Sequence, residues 1–319
     1  MASLGYHASH EQHAPSALLR YVQAAEHAGF DEAMCSDHYF PWSDRQGESG
    51  FAFGWLGAAL QATSFSFGSV CAPGQRYHPA IVAQAAATLA EMFPGRYWIA
   101  LGSGQYLNEH ITGTGWPVKE HRNARLREAV DVIRALWAGD TVTHRGHFVV
   151  EDACLYTRPA TPPLIVGAAV TPETAAWVAE WADALITIAK PFDEMQLVID
   201  AFRRGGGAGK PMFLQAQLSF APSREEALMA AHEEWGTNIF DSALLTDLRM
   251  PADFEAAAKY VRPEDVTDSV RVSDSPDQHA EWLARDIELG FDRIFLHNVQ
   301  RDQERFIEVF GERVLPAVR

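Results

Sequence analysis

Cys35-Ser36-Asp37-His38-Tyr39-Phe40-Pro41-Trp42 continues a run, Phe30 to Met34, that reads as the start of a short strand. An acid beside a histidine does not suit a strand interior, and Pro41 would interrupt any ladder that continued through it. The pair therefore reads as the loop after a strand, where catalytic groups concentrate. The plainer reading, a solvated histidine at a polar strand end, weighs equally on these eight residues alone. What decides between them is that the same arrangement recurs along the chain.

Toward the amino end, Ser3 to Ala8 reads as a strand. Pro15 to Gly29 reads as an amphipathic helix with Leu18, Leu19, Val22 and Ala25 on one stripe. Glu32 to Ser36 is the second strand. Toward the carboxyl end, a loop from Ser43 to Gly50 leads to a helix through Trp55 and Leu60. Further strands read over Phe65 to Cys71, Tyr97 to Leu101, Leu164 to Ala168, Ala184 to Ala189, Met212 to Phe220 and Arg293 to His297. A helical pattern follows each of them. Pro79 and Thr171-Pro172 mark helix starts, because a first-turn proline loses no hydrogen bond. Gly205-Gly206-Gly207 reads as a flexible stop. Two stretches break the alternation. Thr141 to Val150 has a β-hairpin pattern, and Gly236 to Val272, with Pro251, Pro263 and many acids, reads as a helical insertion.

Strict strand–helix alternation implies parallel strands joined by right-handed crossovers. Eight units predict an α/β chain folded as a (β/α)8 TIM barrel. It is read as a single domain over 1–319, with the hairpin inserted near 141–150 and the helical insertion near 236–272. A doubly wound open sheet needs fewer strands and usually a Gly-rich first turn, which Leu4 to Glu11 lacks.

Of 319 residues 47% are apolar, ample for a core, and no segment approaches an unbroken membrane span. Three cysteines, Cys35, Cys71 and Cys154, lie far apart without C-x-x-C spacing, which argues against a disulfide framework or structural zinc. The start of the chain has no signal-peptide pattern, so a cytoplasmic location is expected. A net charge of −16 with four lysines speaks against nucleic acid or an anionic membrane as partner. A small-molecule enzyme is the default.

A barrel builds its active site at the carboxyl ends of its strands. Here those ends bring His7, Asp37-His38, Val70-Cys71, Gly102 to Gln105, Ala168-Ala169, Thr187, Gln215 or Gln217 and His297-Asn298 to one mouth. His7, His10, His38 and His297 together suggest a metal, but no His-x-His strand is present and the reading is for none. No Ser or Cys sits in a nucleophile elbow. Lys190 reads as an anion-binding or solvated lysine. Small residues at three strand ends let backbone approach a flat ring, and the Thr171 helix start offers free N–H groups to a phosphate. Tyr39, Trp42 and Phe53 surround the His38 loop.

The motifs Leu4-Gly5-Tyr6-His7-Ala8-Ser9 with Glu11-Gln12, Ser36-Asp37-His38 with Pro41-Trp42, Arg76-Tyr77-His78-Pro79-Ala80 and Gly102-Ser103-Gly104-Gln105-Tyr106-Leu107-Asn108-Glu109 together resemble the luciferase-like flavin oxidoreductase superfamily. The nearest well-known branch is similar to the deazaflavin-dependent glucose-6-phosphate dehydrogenases. The resemblance implies a (β/α)8 barrel, a small-molecule substrate and a homodimer. By position it makes His38 the catalytic histidine and Asp37 a cofactor-contacting acid. Ser69–Val70, with Ala72 beside it, becomes a non-proline cis peptide that supports the ring. Asn108 becomes a ring contact, Gly167, Ala168, Ala169 and Val170 the phosphate turn, and Trp42 the aromatic beside the reacting face.

Departures from that branch shape the functional expectation. Gln105 stands where the branch has a glutamate proton donor, and an amide exchanges no proton near neutral pH. Of the two lysines and one arginine that grip a sugar phosphate, only Lys190 has a match. Each lost charge-assisted bond is worth roughly 1.5–3 kcal/mol, so glucose 6-phosphate is not the expected substrate. The expectation is an FMN-dependent oxidoreductase acting by hydride transfer or monooxygenation, with His38 and Gln105 at the reacting face. The alternative is a coenzyme F-420 (deazaflavin)-dependent dehydrogenase or reductase. A further alternative is a barrel that binds a ligand without turnover.

Overall fold

The computed structural model describes residues 2–319. Its strands are β1 (Ser3–Ala8), β2 (Glu32–Cys35), β3 (Phe67–Cys71), β4 (Tyr97–Leu101), β5 (Val142–Arg145), β6 (Val149–Ala153), β7 (Leu164–Ala168), β8 (Ala184–Ile188), β9 (Met212–Ser219), β10 (Arg271–Val272) and β11 (Arg293–Asn298). Eight of them close a parallel barrel in the order β1-β2-β3-β4-β7-β8-β9-β11, with β11 returning to pair with β1. The chain is a (β/α)8 barrel. Strands β5 and β6 form an antiparallel pair of their own between two barrel units. Among the described residues no helix is long and apolar enough to cross a membrane.

Two apolar layers hold the barrel. The larger one lies between strands and helices. The smaller fills the barrel with Met34, Trp98, Ala100, Val166, Ala184, Ile186, Phe213 and Phe295. Large rings in a small barrel require an absent side chain opposite. A Cβ on Gly68 would fall inside the Trp98 ring, and one on Gly5 would sit 2.5 Å from Phe295 Cδ1. Those two glycines are small because the rings facing them are large.

Three local features were not legible in the sequence. Gly205-Gly206-Gly207 does stop the helix Phe192–Phe202, which widens over Arg203–Gly207 and is left at Gly206, where φ is +107°. A Cβ on Gly205 would meet Ala176 O at 2.5 Å, so that glycine also serves close helix packing, which the sequence does not show. After β4 a short helix, Tyr106–Glu109, carries Asn108 and is N-capped by Gln105. The stretch after β9 holds the helices Ser242–Asp247 and Pro251–Ala258 but also ends in β10, which pairs parallel with β9.

Candidate active site

Side chains alternate in and out along a strand, so the inner layer continues one step beyond the rings. Next toward the carboxyl ends come Val70 on β3, Gly102 just past β4 and Ala168 on β7, three adjacent strands. Opposite them come Gln215 and Gln217, His297 and His7 on the adjacent strands β9, β11 and β1. The floor of the mouth is small and apolar on one side and polar on the other. On the polar side, the ring centroids of His7 and His297 lie 4.2 Å apart. Gln215 Nε2 lies 3.2 Å from His297 Nδ1, and His297 Nε2 lies 3.2 Å from Gln12 Oε1. The buried Nδ1 of His7, Oε1 of Gln217 and Nδ2 of Asn298 have no partner in the protein.

His38 lies three residues beyond the end of β2. Its Nε2 lies 3.4 Å from Glu11 Oε1, while its Nδ1 has no protein partner. Glu11 is buried, and burial pushes its carboxyl up. The facing His38 and the Ser36 hydroxyl, donating at 2.5 Å, outweigh that and hold it below the usual carboxylate range. Ser9 Oγ donates to the same oxygen at 3.0 Å. An ionised carboxylate at Nε2 favours the N–H tautomer there and stabilises an imidazolium. In the sequence Glu11 has only a place in a family motif. Its spacing from Ser9 was visible in the sequence, but its reach across to His38 was not.

Asp37 is engaged within the protein. Tyr77 Oη donates to its Oδ1 at 3.0 Å, and Arg76 Nη2 donates to its Oδ2 at 3.2 Å. Burial raises its pKa against the opposing pull of Arg76. Asn108 Oδ1 accepts the Tyr39 N–H at 2.8 Å, and its Nδ2 donates to Gln105 Oε1 at 3.4 Å. Asn108 therefore links the His38 loop to Gln105. Trp42 lies with its ring centroid 5.0 Å from that of His38 and 5.3 Å from that of Phe254 on the later insertion. Leu107 packs in the same cluster, with Leu245 and Leu248 against it, so an apolar roof adjoins His38.

The remaining expected residues divide. Val70 and Ala168 face the mouth. Ala72 sits beside Gly104, whose missing Cβ would be 3.3 Å from its own. Ser69 points the other way, sharing a 2.7 Å hydrogen bond with Tyr97 Oη. The cis peptide expected at Ser69–Val70 is corrected: no cis bond occurs among the described residues. The ladder to β4 runs unbroken from Ser69–Ile99 to Cys71–Leu101, and trans is the ordinary state of a non-proline bond. Gly167 serves packing, because a Cβ there would meet Val178 Cβ at 2.6 Å. Ala169 is buried, and its N–H donates to Ile186 O. Val170 precedes the Thr171 cap of the helix Pro172–Val178, where Thr171 Oγ1 accepts the Thr174 N–H at 3.3 Å. Lys190 pairs with Glu194 at 3.7 Å. A cavity of about 550 Å³ opens at the opposite end of the barrel, between Tyr97, Trp98, Trp137, Leu164 and Arg293. That end of such barrels serves stability.

Burial pushes His7, His10, His13 and His279 down to about 4, and holds His297 well below its ordinary value. These rings stay neutral in the fold but take up protons in the unfolded chain below about 6.5. Stability from their neutrality is full above 6.5 and is lost as pH falls toward 4, at about 1.4 kcal/mol per pH unit for each ring. His279, against Phe220 and Phe310 and away from the mouth, isolates the effect. His279→Phe should reduce the pH dependence of unfolding free energy between pH 6.5 and 4 by one proton's worth. Denaturant titration at several pH values reads this, and an unchanged slope would contradict a neutral His279.

A barrel with a histidine–carboxylate pair and an aromatic at its carboxyl-end mouth defines a class. The luciferase-like monooxygenase family pattern matches residues 2–293, and the chain belongs to that family. It is an oxidoreductase of the luciferase-like class. Over 100% of the chain it is 36% identical to a protein of Beutenbergia cavernae named F420-dependent glucose-6-phosphate dehydrogenase, covering 98% of that protein. A Nakamurella multipartita protein of the same name is 35% identical over 99% of the chain and 96% of its own length. Among solved structures, an F420-dependent secondary alcohol dehydrogenase in complex with an F420-acetone adduct superposes with a TM-score of 0.91 at 30% identity. That match covers 100% of this chain and 99% of the other. These relatives overturn the FMN expectation, and with it FMN-based monooxygenation: the similar proteins are named for the deazaflavin.

Proposed function

We propose that the chain is a coenzyme F-420-dependent dehydrogenase or reductase acting on a small neutral alcohol or its ketone. The observation that carries this reading is the His38–Glu11 pair beside the apolar Trp42–Phe254 roof, in a chain whose full-length relatives are named for F420. The mouth suits a flat ring with a polar edge. Val70, Gly102 and Ala168 leave room for a face, and the buried, unpartnered atoms of His7 and Gln217 offer hydrogen bonds to an edge. When bound, the deazaflavin supplies an acceptor for a hydride, two electrons with one proton.

The protein's own groups do the rest. In the oxidising direction His38 takes the hydroxyl proton as the substrate C–H leaves with its electron pair, giving a carbonyl and an imidazolium. Glu11 stabilises that imidazolium through Nε2. Gln105 orients oxygen by hydrogen bonding and carries no proton. Trp42, Leu107 and Phe254 exclude water from the face where hydride moves. Lys190 is taken up by Glu194, and the roof residues Leu245 and Leu248 carry no charge, which favours a substrate without phosphate.

The test is direct. Titrating the purified protein with coenzyme F-420 and with FMN should show binding of the former. Loss of oxidised F-420 absorbance should follow addition of short secondary alcohols but not of glucose 6-phosphate. Tight FMN binding without F-420 binding, or faster turnover of the sugar phosphate, would refute the proposal.

A further inference from the structure

We infer that Arg76 is a positioning residue that fixes His38 and Gln105 relative to each other by joining the loops that carry them. Its meaning for catalysis rests on the function proposed above. Arg76 lies in the β3 connection, between the two loops. On one side Nη2 donates to the Asp37 backbone oxygen at 3.1 Å and to Asp37 Oδ2 at 3.2 Å. That carbonyl belongs to the peptide unit leading into His38. On the other side the Arg76 backbone N–H donates to Glu109 Oε2 at 2.6 Å, and Nε lies 3.5 Å from Glu109 Oε1. Glu109 ends the short helix that Gln105 caps.

Both terminal nitrogens of the side chain are held, while its buried Nε faces Glu109 by charge alone. Nη1 donates to Tyr77 Oη at 3.2 Å, and the guanidinium lies 4.2 Å from the Tyr77 ring centroid. Tyr77 in turn donates to Asp37 Oδ1. Next door, Gln75 donates to Glu109 O at 3.1 Å and to Gly115 O at 3.0 Å, while Arg125 holds Gln75 Oε1 at 2.7 Å. Arg76 is 7% exposed at its side chain, and Asp37 and Glu109 are 1% each.

Buried charges that answer each other in a fixed fork resist displacement, because moving one leaves another unpaired out of water. The peptides flanking His38 are then pinned on both sides. Arg76 holds the Asp37 carbonyl, Asn108 holds the Tyr39 N–H, and Ser49 donates to the His38 carbonyl at 2.6 Å. Of these, only Arg76 joins the His38 loop to Glu109 by charge. A lysine would keep the charge but not the planar fork that reaches Asp37 O, Asp37 Oδ2 and Tyr77 together.

The experiment uses the full chain without cofactor, so it reads the strut independently of what the enzyme turns over. Amide hydrogen exchange is followed by mass spectrometry in wild type, Arg76→Lys and Arg76→Gly. Both variants should exchange at least tenfold faster in peptides covering 36–42 and 105–109, with the rest of the barrel unchanged. Millimolar ethylguanidinium should restore slow exchange in Arg76→Gly, and methylammonium should not. Should Arg76→Gly fail to fold, Arg76→Lys decides alone. Wild-type protection in both loops of Arg76→Lys would overturn the inference. So would faster exchange spread evenly over the barrel, or a folded Arg76→Gly that ethylguanidinium leaves unprotected. With coenzyme F-420 and a short secondary alcohol, Arg76→Lys should lose kcat far more than it raises KM. If wild type proves inactive with F-420, the proposed function falls while the exchange result still decides the role of Arg76.

Discussion

Replacing His38 by alanine should lower turnover by about 10²–10⁴-fold, the usual worth of a positioned general acid–base, while F-420 affinity changes little. That range corresponds to roughly 2.7–5.4 kcal/mol of transition-state stabilisation. The loss should appear in kcat, because the proton moves only as the hydride does and the interaction is absent from the ground state. Glu11→Gln should fall short of that loss: it removes the charge facing the imidazolium 3.4 Å away but leaves the ring in place. Gln105→Glu tests the same assignment from the other side. It puts an ionisable carboxyl beside Asn108, so the pH–rate profile should gain an ionisation that wild type lacks. A His38→Ala variant at full activity with F-420 bound would remove His38, and the mechanism built on it, from consideration.

The barrel was legible in the sequence because its signals are local. Each of the eight strands is a short, largely apolar run followed by a helical pattern, and no distant contact is needed to see it. The extra strand β10 escaped notice because two residues, Arg271 and Val272, carry no period. Gly205 to Gly207 showed the stop but not the packing, because a glycine that lets Ala176 approach looks the same in sequence as one that frees a chain. Within the site, His38 and Trp42 were visible as residue types on a loop, and Asn108 only through the family resemblance. Glu11 and Arg76 act through partners 27 and 39 positions away along the chain, at spacings no motif encodes. The cofactor was misread because departures at Gln105 and at the sugar-phosphate grip, which bear on substrate, were taken to bear on the ring as well. The ring's own floor offers no correction. FMN and a deazaflavin share one flat tricyclic outline, and Val70, Gly102 and Ala168 present only small surfaces to it. Such a floor specifies shape without identifying the ring atoms.

The centre of the barrel should be the place least tolerant of one added methyl group. Gly68→Ala puts a Cβ into the space of the Trp98 ring, which Phe213 and Phe295 confine with centroids at 5.1 and 5.4 Å. Overpacking of this kind costs about 1–3 kcal/mol, more where the neighbour cannot turn aside. Trp98 has little freedom to do so, being 3% exposed within a closed ring of strands. Trp98→Ala should cost more, about 3–5 kcal/mol, by leaving a cavity. The atoms nearest the absent Cβ are Cζ2, Cε2 and Cη2 of Trp98, all in the benzo ring. Trp98→Phe removes much of that bulk. Gly68→Ala should then be far less damaging in the Trp98→Phe background than in wild type, with a coupling of roughly 0.5–3 kcal/mol between the two sites. Chemical denaturation of the four proteins in the cycle measures it. Strictly additive costs would mean that Gly68 is small for some reason other than Trp98.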